Sequence, residues 1–272
     1  LKAFLTDLFE TALTAILKAS AEIMKIYGEN QLNITLKKDA SPVTQADLKS
    51  SDIICSYLEK TGIPIICEET ASTAYHIRKN WEYFWLVDPL DGTKEFISRN
   101  GEFTVNIALV HNRKPILGLI AIPAQKLLYW GSPELGAYKI DFASIEVVNY
   151  KSVTDKATLL PCSGKSQNMR VVVSRSHLDN DTLQYLRKLE QQGNHVEQIS
   201  VGSALKFCYI AEGKANVYLR HSPTMEWDTA AGQAITEASG AKMTKLPIKK
   251  AFLYNKKKLI NQGFIVSRNP NR

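Results

Sequence analysis

The sequence predicts an α/β fold on three observations. Its first 27 residues carry a helical period, with Leu5, Leu8, Phe9, Ala12, Ile16, Ile23 and Ile26 recurring at spacings near three and four. The middle of the chain is dominated by short apolar runs rich in β-branched and aromatic residues, bounded by turn formers. The second half alternates strand-like and helix-like segments, the mixture that defines the class.

The elements follow in order. Gly28 supplies the stop for the first helix. "SPVTQADLKSSDIICSYLEK" (41–60) predicts a loop and then a second helix of about 14 residues. "PIICEE" is a short buried strand that ends in two carboxylates, and "YFWLVD" is another strand. "EFTVNIALVHNRKPILGLIAIP" gives two strands joined by a polar turn at His111–Lys114. "MRVVVSRSH" is strand then loop, "LDNDTLQYLRKLEQQG" a helix, and "ANVYLR" a strand. "DTAAGQAITEASG" is a helix with an aspartate at its start and Gly240 at its end. No internal repeat or low-complexity linker interrupts the chain. One domain over 1–272 is expected, with a seam near 141–168 between halves of roughly 1–150 and 151–272.

Composition is that of a globular protein, with 44% hydrophobic and 22% charged residues. Cys55, Cys67, Cys162 and Cys208 have no close spacing, which points to buried thiols in a reducing compartment rather than a disulfide framework or a zinc site. No apolar run reaches the roughly 18–20 residues that span a bilayer. Asp7, Glu10 and Lys18 break the first stretch, so it does not read as a signal peptide. The expectation is a soluble cytoplasmic protein, and the opening on Leu1 leaves room for natural residues before it. The net charge of +7 is uneven: nine Lys or Arg fall in 241–272, no acid follows Glu237, and the rest of the chain sums to −2. That basic region reads as a solvated face, as an attractor of an anionic substrate, or as a weak peripheral contact with the cytoplasmic face of an anionic inner membrane. Nucleic-acid binding is disfavoured, because no aromatic residues interleave with the charge.

The chemistry gathers at element ends. Glu68 and Glu69 end one strand, Asp88 ends another, Asp91 follows after a short turn, and Asp228 begins a later helix. Strand ends are where loops open a crevice. Carboxylates crowded there repel one another, and a cation relieves this; oxygen-only donors select hard ions, Mg²⁺ first. In "DPLDG", Pro89 stiffens the turn, Gly92 permits an unusual backbone angle, and the Leu90 carbonyl is a further candidate donor. Asp-Pro and Asp-Gly are also ordinary turn formers, and an Asp before a helix is often only an N-cap. Thr93 follows at an expected helix start, where backbone N–H groups suit a phosphate. Metal donors beside an anion cradle suggest phosphoryl chemistry.

On these residues the chain resembles the inositol monophosphatase superfamily of Mg²⁺-dependent, lithium-sensitive phosphatases: "WLVDPLDGT" with "EE" upstream, "WDTAAG" downstream, and "SPVTQAD" at 41–47. "DPLDGTKEFISRNGEFTVNIALV", "VVSRSH", "GSALKFCYIAEG" and "WDTAAGQAI" are similar to its bacterial 3'(2'),5'-bisphosphate nucleotidase branch; the inositol phosphatases usually have Thr-Asn-Phe in place of Lys94-Glu95-Phe96. The likeness runs nearly end to end. It implies a five-layer αβαβα sandwich, and hydrolysis of 3'-phosphoadenosine 5'-phosphate to AMP and phosphate in sulfur assimilation. It implies two or three Mg²⁺ held by Glu68, Asp88, the Leu90 carbonyl, Asp91 and Asp228. Asp47 and Thr93 would orient the attacking water, helped by Glu68, with Gly92 beside the phosphoryl group. His177, Ser203, Lys206 and Arg220 are the implied contacts to the adenosine and 5'-phosphate. The first half would hold metal and catalytic groups, and the second would bind nucleotide and contribute Asp228. An inositol or broader sugar phosphatase, and a catalytically silent nucleotide sensor, are the rival readings. Oligomeric state is not legible.

Overall fold

The structure, a computed structural model, describes residues 2–32, 34–36, 42–163, 168–175, 180–248 and 250–268. Helix α1 (Lys2–Tyr27) buries its apolar stripe from Leu5 to Ile26. A small hairpin, β1 (Ile34–Leu36) with β2 (Pro42–Thr44), leads into α2 (Gln45–Leu58). The start of α2 is fixed by a capping box: the Thr44 side chain accepts from the backbone of the first turn, and Asp47 accepts from the Thr44 N–H.

Seven strands form the first sheet, in spatial order identical to chain order: β3 (Ile65–Cys67), β4 (Tyr83–Asp91), β5 (Thr104–His111), β6 (Lys114–Ile122), β7 (Leu127–Ser132), β8 (Gly136–Asp141) and β9 (Thr158–Leu159). Between them lie short helices α3 (Tyr75–Arg78), α4 (Thr93–Ile97) and α5 (Tyr150–Lys156). The pairs are antiparallel except β3 with β4, so the carboxyl ends of these two strands point the same way.

The second half supplies β10 (Met169–Ser174), α6 (Asn180–Gln191), β11 (Val196–Val201), α7 (Leu205–Glu212), β12 (Val217–Arg220), β13 (Thr224–Met225), α8 (Ala230–Ala238), β14 (Lys242–Lys245), β15 (Lys250–Ala251), β16 (Ile260–Asn261) and β17 (Phe264–Ser267). Six of these strands form the second sheet, in order β11-β10-β12-β17-β14-β15, and β13 pairs separately with β16.

Side-chain alternation along the strands builds the layers. Trp85 and Val87 of β4 face the core shared with α1 and α2, whereas Phe84 and Leu86 face α7 and α8. That second core also takes one face of the second sheet, with Val172, Tyr218, Phe264 and Val266. The opposite face, with Val171, Val173, Val217 and Leu219, packs on Leu186 and Leu189 of α6. The order is therefore helix, sheet, helix, sheet, helix, the five layers expected.

The middle helical layer sits directly on the first sheet. Gly118 and Gly131 are cross-strand partners on β6 and β7. A Cβ on Gly118 would stand 2.4 Å from the Ala231 carbonyl oxygen, and one on Gly131 would stand 2.6 Å from the Ile235 Cα. Only glycine lets α8 approach that closely.

Several elements differ from expectation. "DPLD" is not a separate turn: β4 runs through Asp91, with its register to β5 shifting between Asp88 and Asp91. "GSALKFCYIAEG" contains helix α7, and β7, β8 and β11 add strands that periodicity did not give. The cysteines, all free, are not uniformly buried: Cys162 is exposed and Cys55 half-buried. The Cys67 thiol lies 3.3 Å from the Ser51 hydroxyl of α2.

The glycine contact yields a prediction. Gly118→Ala forces backbone to move against backbone, an overpacking that costs about 1–3 kcal/mol or more. Urea denaturation should show the loss; unchanged stability would mean that α8 does not rest on this strand.

Candidate active site

Glu68 follows β3, Asp88 and Asp91 lie at the end of β4, and Asp228 precedes α8. Because β3 and β4 are parallel neighbours, their acids emerge at the same sheet edge. Helix α8 brings Asp228 to that edge from the middle layer. Glu68, Asp91, Gly92, Thr93, Ser203, Lys206, Arg220 and Asp228 line one cleft of about 240 Å³. Asp88 and Leu90 lie beneath it, each 2% exposed.

Thr93 stands at the start of α4, after Gly92, whose φ of 90° lies in the left-handed region. That turn places the Thr93 hydroxyl against α2, where it donates to Asp47 Oδ1 at 3.0 Å. Asp47 is also buried, and its Oδ2 accepts from the Thr44 N–H at 2.7 Å and the Thr44 hydroxyl at 2.6 Å. Burial raises the Asp47 pKa above the usual carboxylate range against the pull of these three donors, and Glu69 adds to the rise. The capping box thus serves two ends: it starts the helix and fixes a carboxylate beneath Thr93.

Asp88 accepts from the Leu90 N–H at 3.2 Å. Burial pushes its pKa far up, and the charges of Glu68, Asp91, Asp228 and Asp47 push it further. Asp228 behaves alike, raised first by burial and then by Asp91, with relief from the Met225 N–H and Arg220. Asp228 is not a helix cap. Its Oδ2 accepts from the Met225 N–H at 2.8 Å, and Thr229 occupies the N-cap position.

Asp91 is held from the second half of the chain. Ser203, at φ 50°, donates to its carboxylate at 2.7 Å and lies 2.7 Å from the Thr104 hydroxyl. Lys206 is buried and donates to the Ser203 carbonyl at 2.6 Å and, more weakly, to the Val201 carbonyl at 3.4 Å. Burial brings the Lys206 pKa down to about 8, with Asp91 opposing. Its ammonium therefore braces the loop that presents Ser203. Arg220 lines the cleft with its Nε buried and unpartnered. His177 lies outside the described residues.

Sequence reasoning missed Thr104 and Asn106, buried on β5 and bonded to each other at 3.0 Å, with both 3.5 Å from Asp91 Oδ2. Their signal was present: two polar residues at i and i+2 on an otherwise apolar strand. It also missed Thr44, legible as the first residue of a Thr-x-x-Asp box, and Lys94, exposed at the cleft rim.

Among the described residues, no three His, Cys, Asp or Glu side chains close on one point as a finished metal cage. The donor set nonetheless fits a hard divalent cation. All donors are oxygens, and the electrostatic cost at Asp88 comes wholly from burial and like charge, which such a cation removes.

The comparisons agree with this geometry. The model of the inositol monophosphatase family matches residues 5–270. A Salmonella typhimurium protein named 3'(2'),5'-bisphosphate nucleotidase CysQ is 39% identical over 92% of this chain and 95% of its own. Its Escherichia coli K12 namesake is 38% identical over the same shares. The crystal structure of CysQ from Bacteroides thetaiotaomicron, a member of the same family, superposes with a TM-score of 0.89 at 42% identity, covering 96% of this chain and 97% of that one. Inositol monophosphatase from Thermotoga maritima shares the fold, with a TM-score of 0.74 at 20% identity.

The buried acids set a pH dependence. A carboxyl whose folded pKa exceeds its unfolded value lends stability at low pH that is lost as pH rises through the folded value. Metal-free protein should lose stability as pH climbs above the ordinary Asp value of 3.8. Asp88→Asn should flatten that slope and raise the neutral-pH Tm by about 2–4 °C per kcal/mol recovered. Calorimetry of both proteins across pH in EDTA checks this; a lower Tm for the variant at neutral pH contradicts it.

With its acids, the Thr93–Asp47 pair and the comparisons in agreement, the chain belongs to the inositol monophosphatase family, whose members are metal-dependent phosphatases.

Proposed function

We propose that this chain hydrolyses the 3'-phosphate of 3'-phosphoadenosine 5'-phosphate, giving AMP and inorganic phosphate, in the cytoplasm and in the service of sulfur assimilation. The likeness to the CysQ nucleotidases along more than nine-tenths of both chains supports the substrate. The carrying observation is the Thr93–Asp47 hydrogen bond at the floor of a cleft ringed by Glu68, Asp91 and Asp228. Residues of roughly 1–150 supply the metal and catalytic groups, and residues of roughly 151–272 supply nucleotide contacts and Asp228, within one domain.

Two or three Mg²⁺ would be held by Glu68, Asp88, the Leu90 carbonyl, Asp91 and Asp228. Bound there, the ions supply Lewis acidity and neutralise the phosphate dianion. The protein's own groups handle the proton. Because the Thr93 O–H points at Asp47, its oxygen lone pairs are free to accept from a water that Glu68 also positions. The water's proton passes to Thr93 Oγ1 as the Thr93 proton passes to Asp47 Oδ1, whose affinity for it burial has raised. The water oxygen bonds to phosphorus, the bond from phosphorus to the ribose 3'-oxygen breaks, and the 3'-oxygen leaves as a hydroxyl with a proton from solvent. Gly92 lets the backbone approach the phosphoryl oxygens.

Phosphate release from 3'-phosphoadenosine 5'-phosphate, inositol 1-phosphate and fructose 1,6-bisphosphate, with and without EDTA, tests the reading. Only the nucleotide should turn over efficiently, and EDTA should stop it; preference for inositol 1-phosphate would overturn it. Thr93→Ala and Asp47→Asn should each lower kcat about 10²–10⁴-fold. Activity near wild type in either would remove the pair from the reaction.

The second phosphate needs a cation. Arg220 takes this role, because it lines the cleft with its Nε unpartnered, whereas the Lys206 ammonium gives two of its three donors to carbonyls. Arg220→Ala should raise KM for the bisphosphate by one to two decades, about 1.5–3 kcal/mol for a charged hydrogen bond, and spare 3'-AMP. Lys206→Ala should weaken both substrates together. Equal losses in the Arg220 variant would show that it does not read the 5'-phosphate.

A further inference from the structure

The basic C-terminal region forms a second cleft away from the acids. It has a volume of about 310 Å³ and is walled by Arg113, Lys245, Lys250 and Lys256 over an apolar floor that includes Phe252 and Leu253. No Asp or Glu is among the described residues that line it. Lys245 and Lys250 are directly opposed across β14 and β15. Like charges in direct cross-strand opposition destabilise a strand pair. Neither lysine has a carboxylate partner among the described residues.

The remaining two cations are fixed in place. Arg113 stands in the tight turn between β5 and β6, and its Nε donates to the Tyr254 carbonyl at 3.0 Å. That bond orients the guanidinium and leaves its terminal nitrogens for another acceptor. Lys256 is pinned by Glu226 at 2.7 Å, Asn261 at 2.8 Å and the Leu253 carbonyl at 3.2 Å. Its three donors are used, so it contributes field rather than contact. Glu226 is itself saturated by the Asn255 and Lys256 N–H groups and offsets only Lys256. At the rim, Ile248 is 56% exposed and Ile260 47% exposed.

We propose that this cleft is a binding site for a small organic anion, a phosphate, sulfate or carboxylate group carried on a compact apolar body. Arg113, Lys245 and Lys250 take the anion, and Ile248, Phe252 and Ile260 take the body. The site is independent of the acidic cleft and stands whether or not the proposed hydrolysis does.

Hexylphosphonate, which resists hydrolysis, is the probe. Titration calorimetry at low salt uses protein stripped of metal with EDTA and then dialysed free of it, so that no cation draws the probe to the carboxylates of the acidic cleft and no polycarboxylate competes with it. Wild type should bind it saturably, one per chain. Lys245→Gln/Lys250→Gln should bind it at least about tenfold more weakly, a loss of about 1.4 kcal/mol, and should be no less stable, since it removes the opposed charges. Lys257→Gln/Lys258→Gln, which removes equal charge outside the cleft, should bind as wild type does. Methylphosphonate, five methylenes shorter, should bind at least about tenfold more weakly than hexylphosphonate, because each buried methylene contributes about 0.8 kcal/mol. Equal weakening in both lysine pairs would reduce the site to diffuse attraction. Absence of saturable binding, or binding of wild type to phosphatidylglycerol vesicles without binding of hexylphosphonate, would overturn the proposal.

Discussion

The contact on which the rest of this structure depends is that of α8 with the backbone of β6 and β7. Two sheets in five layers must share one helical layer, and that layer cannot be thick if acids from both sides are to meet. Gly118 and Gly131 remove the side chains that would hold α8 away. Gly232 does the same on the helix's other flank, where a Cβ would collide with the Phe207 ring. Asp228, two residues before α8, inherits its position from this packing. The distance between the carboxylates of the two halves is therefore set by core glycines far from any reacting group.

The acids so placed work against folding. Asp88 is buried with no basic side chain among the causes of its shift, and four other carboxylates disfavour its charge. The core of buried hydrophobic residues can carry that load, since each fully buried Val, Leu, Ile, Phe or Met side chain contributes about 1.5–3 kcal/mol. The family's metal dependence follows from the same arithmetic: a bound cation converts the repulsion into attraction. Asp47 belongs to a different class. Three hydrogen bonds hold it in the charged form while burial opposes them. That balance suits the proton-accepting role proposed for it.

Much of this was legible in the sequence, and the reasons for success and failure are physical. Long amphipathic segments such as α1 declare themselves by period, and the α1 stripe came out as read. The acids of "DPLDGT" were found because Asp-Pro and Asp-Gly at a strand end are conspicuous. Their setting was misread: the register shift inside β4 uses the same residues as a turn, and local pattern cannot separate the two. Helix α7 was missed because it is buried on nearly every side, so its sequence has little polar contrast. The five-layer order was not in the periodicity at all; it came from likeness of motifs. Lys206 was offered as a nucleotide contact on the likeness of "GSALK". Its satisfaction by the Ser203 carbonyl depends on the loop's fold and is not visible in sequence. Asn106 and Thr104 were within reach, since a polar pair on one face of an apolar strand has to be bonded to something.

The segment from Thr224 to Thr229 ties the acidic and basic ends of the molecule together. The chain leaves β13 and turns at Glu226, whose carbonyl accepts from the Thr229 and Ala230 N–H groups, so Glu226 and Asp228 are free to face different sides. Asp228 faces the acidic cleft, and Glu226, fully buried, faces the basic region, taking the Asn255 N–H, the Lys256 N–H and the Lys256 ammonium. Asn261 completes the link. It accepts from Lys256 and donates to the Met225 carbonyl at 2.7 Å and to Thr229 at 2.9 Å. Met225 in turn donates its N–H to Asp228. Glu226 is buried among these donors, so it holds the 252–261 loop against the backbone that carries Asp228. The excess of positive charge after Glu237 thus has an internal counterpart: one of its lysines neutralises the buried acid that anchors the segment leading to Asp228.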